Sequence, residues 1–143
     1  MKDFVYSHFL AKFRKLVDFP KLNGPLHSKY MWEDDCYRNF MFGLFNVLEP
    51  RREEKHTLLV EENSEATEVL FFEQGTFCVG FELNKEPHYV IKFDGTNYIN
   101  AYGCTYNFRS PWVYKTVTVC AGYSIRKKNW KNLIDQEDYE EIK

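Results

Sequence analysis

The alternation of apolar and polar residues changes period twice along this chain. Residues 4–17 place Val5, Phe9, Phe13 and Leu16 at spacings of three and four, with His8, Lys12, Arg14 and Lys15 mostly elsewhere, which predicts an amphipathic helix. Its end is marked by Asp18-Phe19-Pro20 and the turn-forming Asn23-Gly24-Pro25. A second helix is predicted over residues 32–48, where Tyr37, Phe40, Met41, Leu44, Phe45 and Leu48 fall on one stripe. Glu33, Asp34 and Asp35 lie in its first turn, where the helix dipole favours negative charge, and Pro50 ends it.

From Arg52 onward the period drops to two or to short apolar runs. Strands are predicted at residues 57–60 (TLLV), 68–73 (EVLFFE), 76–83 (TFCVGFEL), 89–93 (YVIKF), 113–119 (VYKTVTV) and 122–125. In TFCVGFEL, Phe77, Val79, Phe81 and Leu83 face one way and Cys78, Gly80 and Glu82 the other. Gln74-Gly75 reads as the tight turn of a hairpin, Asn84-Lys85-Glu86-Pro87 as a further turn and Asp94-Gly95 as the next hairpin. Residues 98–112 form a polar and aromatic loop between strands. Residues 126–143 return to a helical pattern through Trp130, Leu133 and Ile134, with Tyr139 and Ile142 continuing it.

The predicted order is therefore two helices, seven or eight short strands and a helix. It implies a mainly β fold with flanking helices, a double-stranded, jelly-roll-like β-roll. Residues 1–50 form the N-terminal helical segment, 51–126 the roll and 127–143 the C-terminal helix, all within one compact domain. The length of 143 residues fits one domain, and the 18% aromatic content favours an ordered core. A net charge of −2 gives no general attraction to nucleic acid. No run reaches the roughly 18 apolar residues of a membrane span, and the N-terminus lacks the apolar stretch of a signal peptide.

Catalytic and metal chemistry find little support. His8, His27, His56 and His88 are dispersed, and Cys36, Cys78, Cys104 and Cys120 show no C-x-x-C spacing, which reads as reduced thiols in a cytosolic setting. No G-x-S-x-G or P-loop occurs, so no enzyme activity and no metal are expected. The carboxylate pairs at 34–35, 53–54 and 61–62 read as solvated turns or helix starts. Arg126-Lys127-Lys128 with Lys131 faces an acidic tail and reads as a set of intrahelical ion pairs.

The segments TLLVEENSEATEVLFFEQGTFCVGFEL, YGCTYNFRSPWVYKTV and GYSIRKKNWKNLI together resemble the cyclic nucleotide-binding domain family over roughly residues 30–135. That resemblance implies an eight-stranded β-roll interrupted by a short phosphate-cradling helix, followed by closing helices. The N-terminal FVYSHFLAKFRKL and Leu48-Glu49-Pro50-Arg51 look like the segment joining a channel pore to such a domain. The aromatic-rich style, with Leu48-Glu49-Pro50-Arg51 and Gly80-Phe81-Glu82-Leu83-Asn84, is similar to the intracellular domains of voltage-gated potassium channels of ciliate-like protists. The resemblance implies a regulatory cytoplasmic domain of a membrane protein, or a free cytosolic one. Its partners would be the rest of the channel polypeptide and neighbouring subunits of a tetramer.

The family's cassette, F-G-E-x-x-L…R-x-A-x-V, holds a cyclic phosphate through backbone N–H groups and an Arg, and the ribose through the Glu. A buried phosphodiester anion needs a cation and oriented donors. Aligned without gaps on Thr116-Val117, the pattern places Tyr102-Gly103-Cys104 on F-G-E and Val113 on the Arg. Gly103 is kept, while Cys104 and Val113 replace the ribose and phosphate partners. The resemblance thus implies a degenerate cassette of Tyr102, Gly103, Cys104, Arg109, Val113, Tyr114, Lys115 and Thr116, with no cyclic AMP or cyclic GMP bound as a cofactor. In that reading Tyr106, Phe108 or Trp112 fills the pocket. Two alternatives stay open: a working sensor in which Arg109, or less readily Lys115, takes the phosphate, and a soluble β-roll interaction domain unrelated to channels.

Overall fold

A computed structural model of the chain describes residues 35–135. The helix expected at residues 4–17 and the end of the C-terminal helix lie outside them. Helix α1 (Asp35–Val47) is followed by strands β1 (Glu49–Glu53), β2 (Leu58–Val60), β3 (Glu68–Gln74), β4 (Thr76–Leu83), β5 (Glu86–Asp94) and β6 (Asn97–Ile99). Helix α2 (Ala101–Tyr106), strands β7 (Val113–Thr116) and β8 (Cys120–Arg126), and helix α3 (Lys127–Ile134) complete the described chain. The strands form two antiparallel four-stranded sheets, in the orders β1-β8-β3-β6 and β2-β7-β4-β5. The mainly β roll with flanking helices expected from the sequence is the observed fold.

Strand β3 explains the layering. Its run Val69-Leu70-Phe71-Phe72 is buried at every position, which an alternating strand with one wet face cannot be. Leu70 and Phe72 point into the roll, joining Val60, Phe77, Val79, Ile99 and Cys120. Val69 and Phe71 point outward into a second core with Phe40, Met41 and Leu44 of α1, Cys104 of α2 and Leu133 and Ile134 of α3. One strand therefore joins the roll's interior to the layer of helices.

Several sequence expectations are corrected. Gly75 is not the turn of a hairpin: β3 and β4 lie in opposite sheets, and the chain turns a corner between them. Gly75 has φ +104, and a Cβ there would approach the Val119 carbonyl oxygen to 2.4 Å, so only glycine fits. The strand expected over residues 113–119 ends at Thr116. Beyond it the Val117 and Thr118 amides both turn to the Thr76 carbonyl, at 2.8 and 3.2 Å. Strand β1 was not expected, because Glu-Pro-Arg-Arg-Glu carries no apolar alternation. It pairs with β8 at a sheet edge, where proline is tolerated. The alternation expected along β4 is not observed: Phe77, Cys78, Val79 and Gly80 are all buried, and Phe81, Glu82 and Leu83 are all exposed. The turn at Asn84-Lys85 is as expected, and both residues have positive φ, as a two-residue type I′ hairpin requires.

Thr116 sits at the base of β7 with its hydroxyl fully engaged. It accepts the Thr57 amide at 2.7 Å and donates to the Glu54 carbonyl at 2.6 Å, pinning the β1–β2 turn. Replacing Thr116 with valine keeps the shape and leaves both backbone groups without their partner. A loss of about 1–3 kcal/mol in chemical denaturation is expected, and unchanged stability would show that the hydroxyl is not the clamp.

Candidate functional site

The segment between β6 and β7 is built around α2. Asn100 precedes the helix with φ 70 and Asn107 follows it with φ 60, so left-handed residues define both ends. Asparagine tolerates that conformation better than most residues. Thr105 ties the helix down: its hydroxyl donates to the Ala101 carbonyl at 2.8 Å and accepts the Trp130 indole N–H at 2.9 Å. The Lys131 ammonium reaches Asn107 Oδ1 at 3.0 Å. Both of these grips come from α3.

After α2 the chain zips onto the loop between β2 and β3. The Asn63 amide donates to the Ser110 carbonyl at 2.7 Å, and the Ser110 amide to the Ser64 carbonyl at 2.9 Å. Arg109 completes this seam. Its Nη1 donates to the Asn63 carbonyl at 2.9 Å and its Nη2 to Glu65 Oε1 at 3.2 Å. The Arg109 side chain is 57% exposed, so this ion pair is a surface one of modest strength.

Beside the seam lies a cavity of about 260 Å³, lined by Leu58, Leu59, Val60, Glu61, Ser64, Glu65, Thr67, Glu68, Leu70 and Asn100. Its charged groups are carboxylates. Glu68 is held by a two-point contact with Arg51, at 3.0 Å to Nη1 and 2.9 Å to Nη2, and Glu65 by Arg109. Strand β6 and Asn100 bring the start of α2 to the cavity. Glu61, Ser64 and Glu65 of the loop between β2 and β3 form part of its wall, and Glu61 and Glu65 are exposed, as expected of a solvated turn.

None of the eight residues assigned to the cassette from sequence lines this cavity. Tyr102 is 65% exposed on the outer side of α2, stacked on Phe108 with centroids 5.3 Å apart. Gly103 lies within the helix and packs against Ala66, whose Cβ is 2.9 Å from where a Gly103 Cβ would stand. Cys104 is fully buried in the outer core, and burial pushes its thiol up to about 11. A neutral thiol facing that core presents no acceptor to a ribose. Val113 is buried opposite Gly80, and Tyr114 packs against the inner core, its phenol raised by burial. Lys115 leans over the Tyr89 ring at 6.0 Å, and Thr116 serves the β1–β2 turn. Tyr106, Phe108 and Trp112, the expected pocket fillers, are all exposed.

The residues that sequence reasoning missed are Asn100, Thr67 and the three cavity carboxylates. The signal for Asn100 was the residue type itself, one that favours left-handed turns, just ahead of a short helix. The cavity glutamates carry no such signal.

No family model matches this chain, and no curated protein matches it in sequence. Its three-dimensional arrangement does have counterparts. The regulatory subunit of a cAMP-independent protein kinase A from Trypanosoma cruzi, bound to guanosine, superposes with a TM-score of 0.66 over 99% of this chain and 48% of its own, at 15% identity. The fold is that of the cyclic nucleotide-binding domains. The regulatory domain of Toxoplasma gondii protein kinase A with cAMP gives a TM-score of 0.61 over 66% of this chain and 36% of its own, at 12% identity. A putative cyclic nucleotide-binding protein from Ruegeria pomeroyi gives 0.60 over 68% and 43%, at 14% identity. This cyclic nucleotide-binding fold thus spans less than half of each of those proteins. No helix among the described residues is long and apolar enough to cross a membrane.

Proposed function

We propose that this is a regulatory, non-enzymatic domain of a larger protein whose cassette has lost its cyclic phosphate partner. The observation that carries the reading is the electrostatics of the cavity. Glu61, Glu65 and Glu68 line it, and Arg109, at the adjoining seam, is engaged by Glu65 and the Asn63 carbonyl. A phosphodiester entering there meets like charge and must draw Arg109 away from Glu65. Glu61 and Glu65 are exposed and Glu68 is paired with Arg51, so screening softens the repulsion. What tells against a phosphate is that the arginines beside the cavity, Arg51 and Arg109, are both engaged by its glutamates.

Regulation in this reading is mechanical. Trp130 and Lys131 couple α2 to α3, so the state of the roll is carried into the helices. The finer proposal, a cytoplasmic domain of a tetrameric potassium channel, is supported by the sequence style of residues 4–16 and of Leu48-Glu49-Pro50-Arg51. Six apolar spans upstream in the full-length sequence are the expected companion of that assignment; without them the domain is a free cytosolic one.

A second reading is favoured by the same wall of carboxylates. Ser64, Thr67, Asn100 and the glutamates offer hydrogen-bond groups to a neutral, hydroxyl-rich ligand, and the Trypanosoma cruzi neighbour carries guanosine, a nucleoside without phosphate. The cavity lies just below the usual range for small-molecule sites of about 300–1,000 Å³. Calorimetric titration with cyclic AMP, cyclic GMP and guanosine separates the readings. The expected result is no saturable heat from either cyclic nucleotide. Heat from guanosine alone selects the nucleoside reading, and micromolar binding of a cyclic nucleotide overturns the proposal.

A further inference from the structure

Strand β1 turns charged side chains inward. Its burial alternates, with Glu49, Arg51 and Glu53 half-buried and Pro50 and Arg52 exposed. Residues directly opposite one another in an antiparallel ladder share a face of the sheet. Arg51 is opposite Gly122, which is opposite Phe72, and Glu53 is opposite Cys120. Phe72 and Cys120 belong to the inner core, so Arg51 and Glu53 stand on the face that lines the roll's interior. Glu68 shares that face, because Glu68, Leu70 and Phe72 occupy every second position of β3.

Charge on an inner face is tolerated only when it is paired. The Arg51 Nε donates to Glu53 Oε1 at 2.5 Å, and its Nη1 and Nη2 to the two Glu68 oxygens at 3.0 and 2.9 Å. That planar fork matches a carboxylate and a phosphate alike, through the same two donors. Glu68 is thus seated on Arg51 as an oxyanion would be. Of these three residues Glu68 alone lines the cavity, so it is the link between the cavity and Arg51. The arginines nearby are more exposed. Arg126, paired with Glu49, is 71% exposed and Arg109 57%, against 36% for Arg51 and 23% for Glu68. Water and salt screen the first two more strongly.

We propose that Arg51 is the anion-binding cation of this cavity and that Glu68 is the built-in counter-ion that masks it. The ligand class is an oxyanion that presents two oxygens to the guanidinium in place of the Glu68 carboxylate. Glu53 keeps its bond to Nε when Glu68 is lost, so Arg51 stays oriented and paired. The inference rests on the reading that the wild-type cavity takes no phosphate, and it adds the group that keeps phosphate out.

Titration of the 143-residue chain with inorganic phosphate, by calorimetry in a phosphate-free buffer at low salt, tests it. Glu68→Gln keeps the side chain's shape and removes its charge, and is expected to bind phosphate about tenfold tighter than wild type or better. Glu68→Ala, a second way of uncovering Arg51, should show the same gain. Adding Arg51→Met to Glu68→Gln should abolish it. Glu53→Gln leaves Glu68 in place and should bind no better than wild type. Circular dichroism confirms that each variant is folded. No gain in a folded Glu68 variant, with wild type also silent, overturns this inference alone, as does a gain that survives Arg51→Met. Micromolar binding of cyclic AMP by the wild-type chain overturns the underlying reading and the mask with it.

Discussion

Replacement of Phe72 with alanine is expected to cost about 3–5 kcal/mol of stability. Phe72 is fully buried in the inner core, its ring centroid 6.0 Å from that of Phe77, which in turn stacks on Phe93 at 5.4 Å. It stands on the strand that joins the two cores, flanked by Phe71 on the opposite face. Truncation removes transfer free energy and leaves a void that rigid neighbouring strands cannot fill. For a domain whose total stability is about 5–15 kcal/mol, such a loss leaves a marginal protein. Urea denaturation measures it, with Tyr98→Ala at an exposed position of β6 as the comparison. A Phe72→Ala midpoint close to that of Tyr98→Ala would show that the inner core is not where stability resides.

The second large effect concerns Val113, onto which alignment places the cassette arginine. Val113→Arg is expected to unfold the domain, not to restore a ligand site. Val113 is 2% exposed, pairs with Gly80 in the β7–β4 ladder and is not among the residues lining the cavity. An arginine there is a buried charge without a partner, with a penalty of about 3–5 kcal/mol. The expected outcome is loss of the cooperative thermal transition and no gain in affinity for cyclic AMP. A folded variant that binds cyclic AMP at micromolar concentration would instead show that β7 turns this position toward the ligand.

How far the sequence exposed the fold follows from where the periodic signal was strong. Val69 to Phe72 and Phe77 to Val79 are apolar because both sheets bury them, so the strands and the roll were legible. Strand β1 was hidden because its stability comes from ladder bonds to β8 and the Arg51–Glu68 contact, not from apolar burial. The corner at Gly75 was read as a hairpin because a glycine between two strands marks a change of direction without saying which sheet follows. Helix α2 was invisible to periodicity: its six residues include Gly103 and two tyrosines, and its C-terminal end is held by Trp130 and Lys131 from the far end of the chain. The resemblance to cyclic nucleotide-binding domains implied a short helix there.

The candidate site was less legible for the same reason. An ungapped pattern assigned side chains to a pocket by position in the chain. The fold gives those positions other work: Cys104 fills the outer core, Thr116 clamps a turn and Tyr102 lies outside on α2. The cavity wall comes from two segments that meet only in three dimensions, residues 58–70 and Asn100. Arg109 was singled out from sequence as the cation that could take the phosphate. Its partners, Asn63 and Glu65, lie more than forty positions away.

Among the described residues, the arginine beside the cavity and its seam, Arg109, is engaged by Glu65 and the Asn63 carbonyl and is not free for a cyclic phosphate. Calorimetric titration of the chain with cyclic AMP and cyclic GMP at low salt, beside its Arg109→Ala variant, tests this most directly. No saturable heat is expected up to about 1 mM ligand, weaker than about −4 kcal/mol of binding free energy, and the variant should give the same null result. Micromolar binding by the wild-type chain that Arg109→Ala abolishes would contradict it.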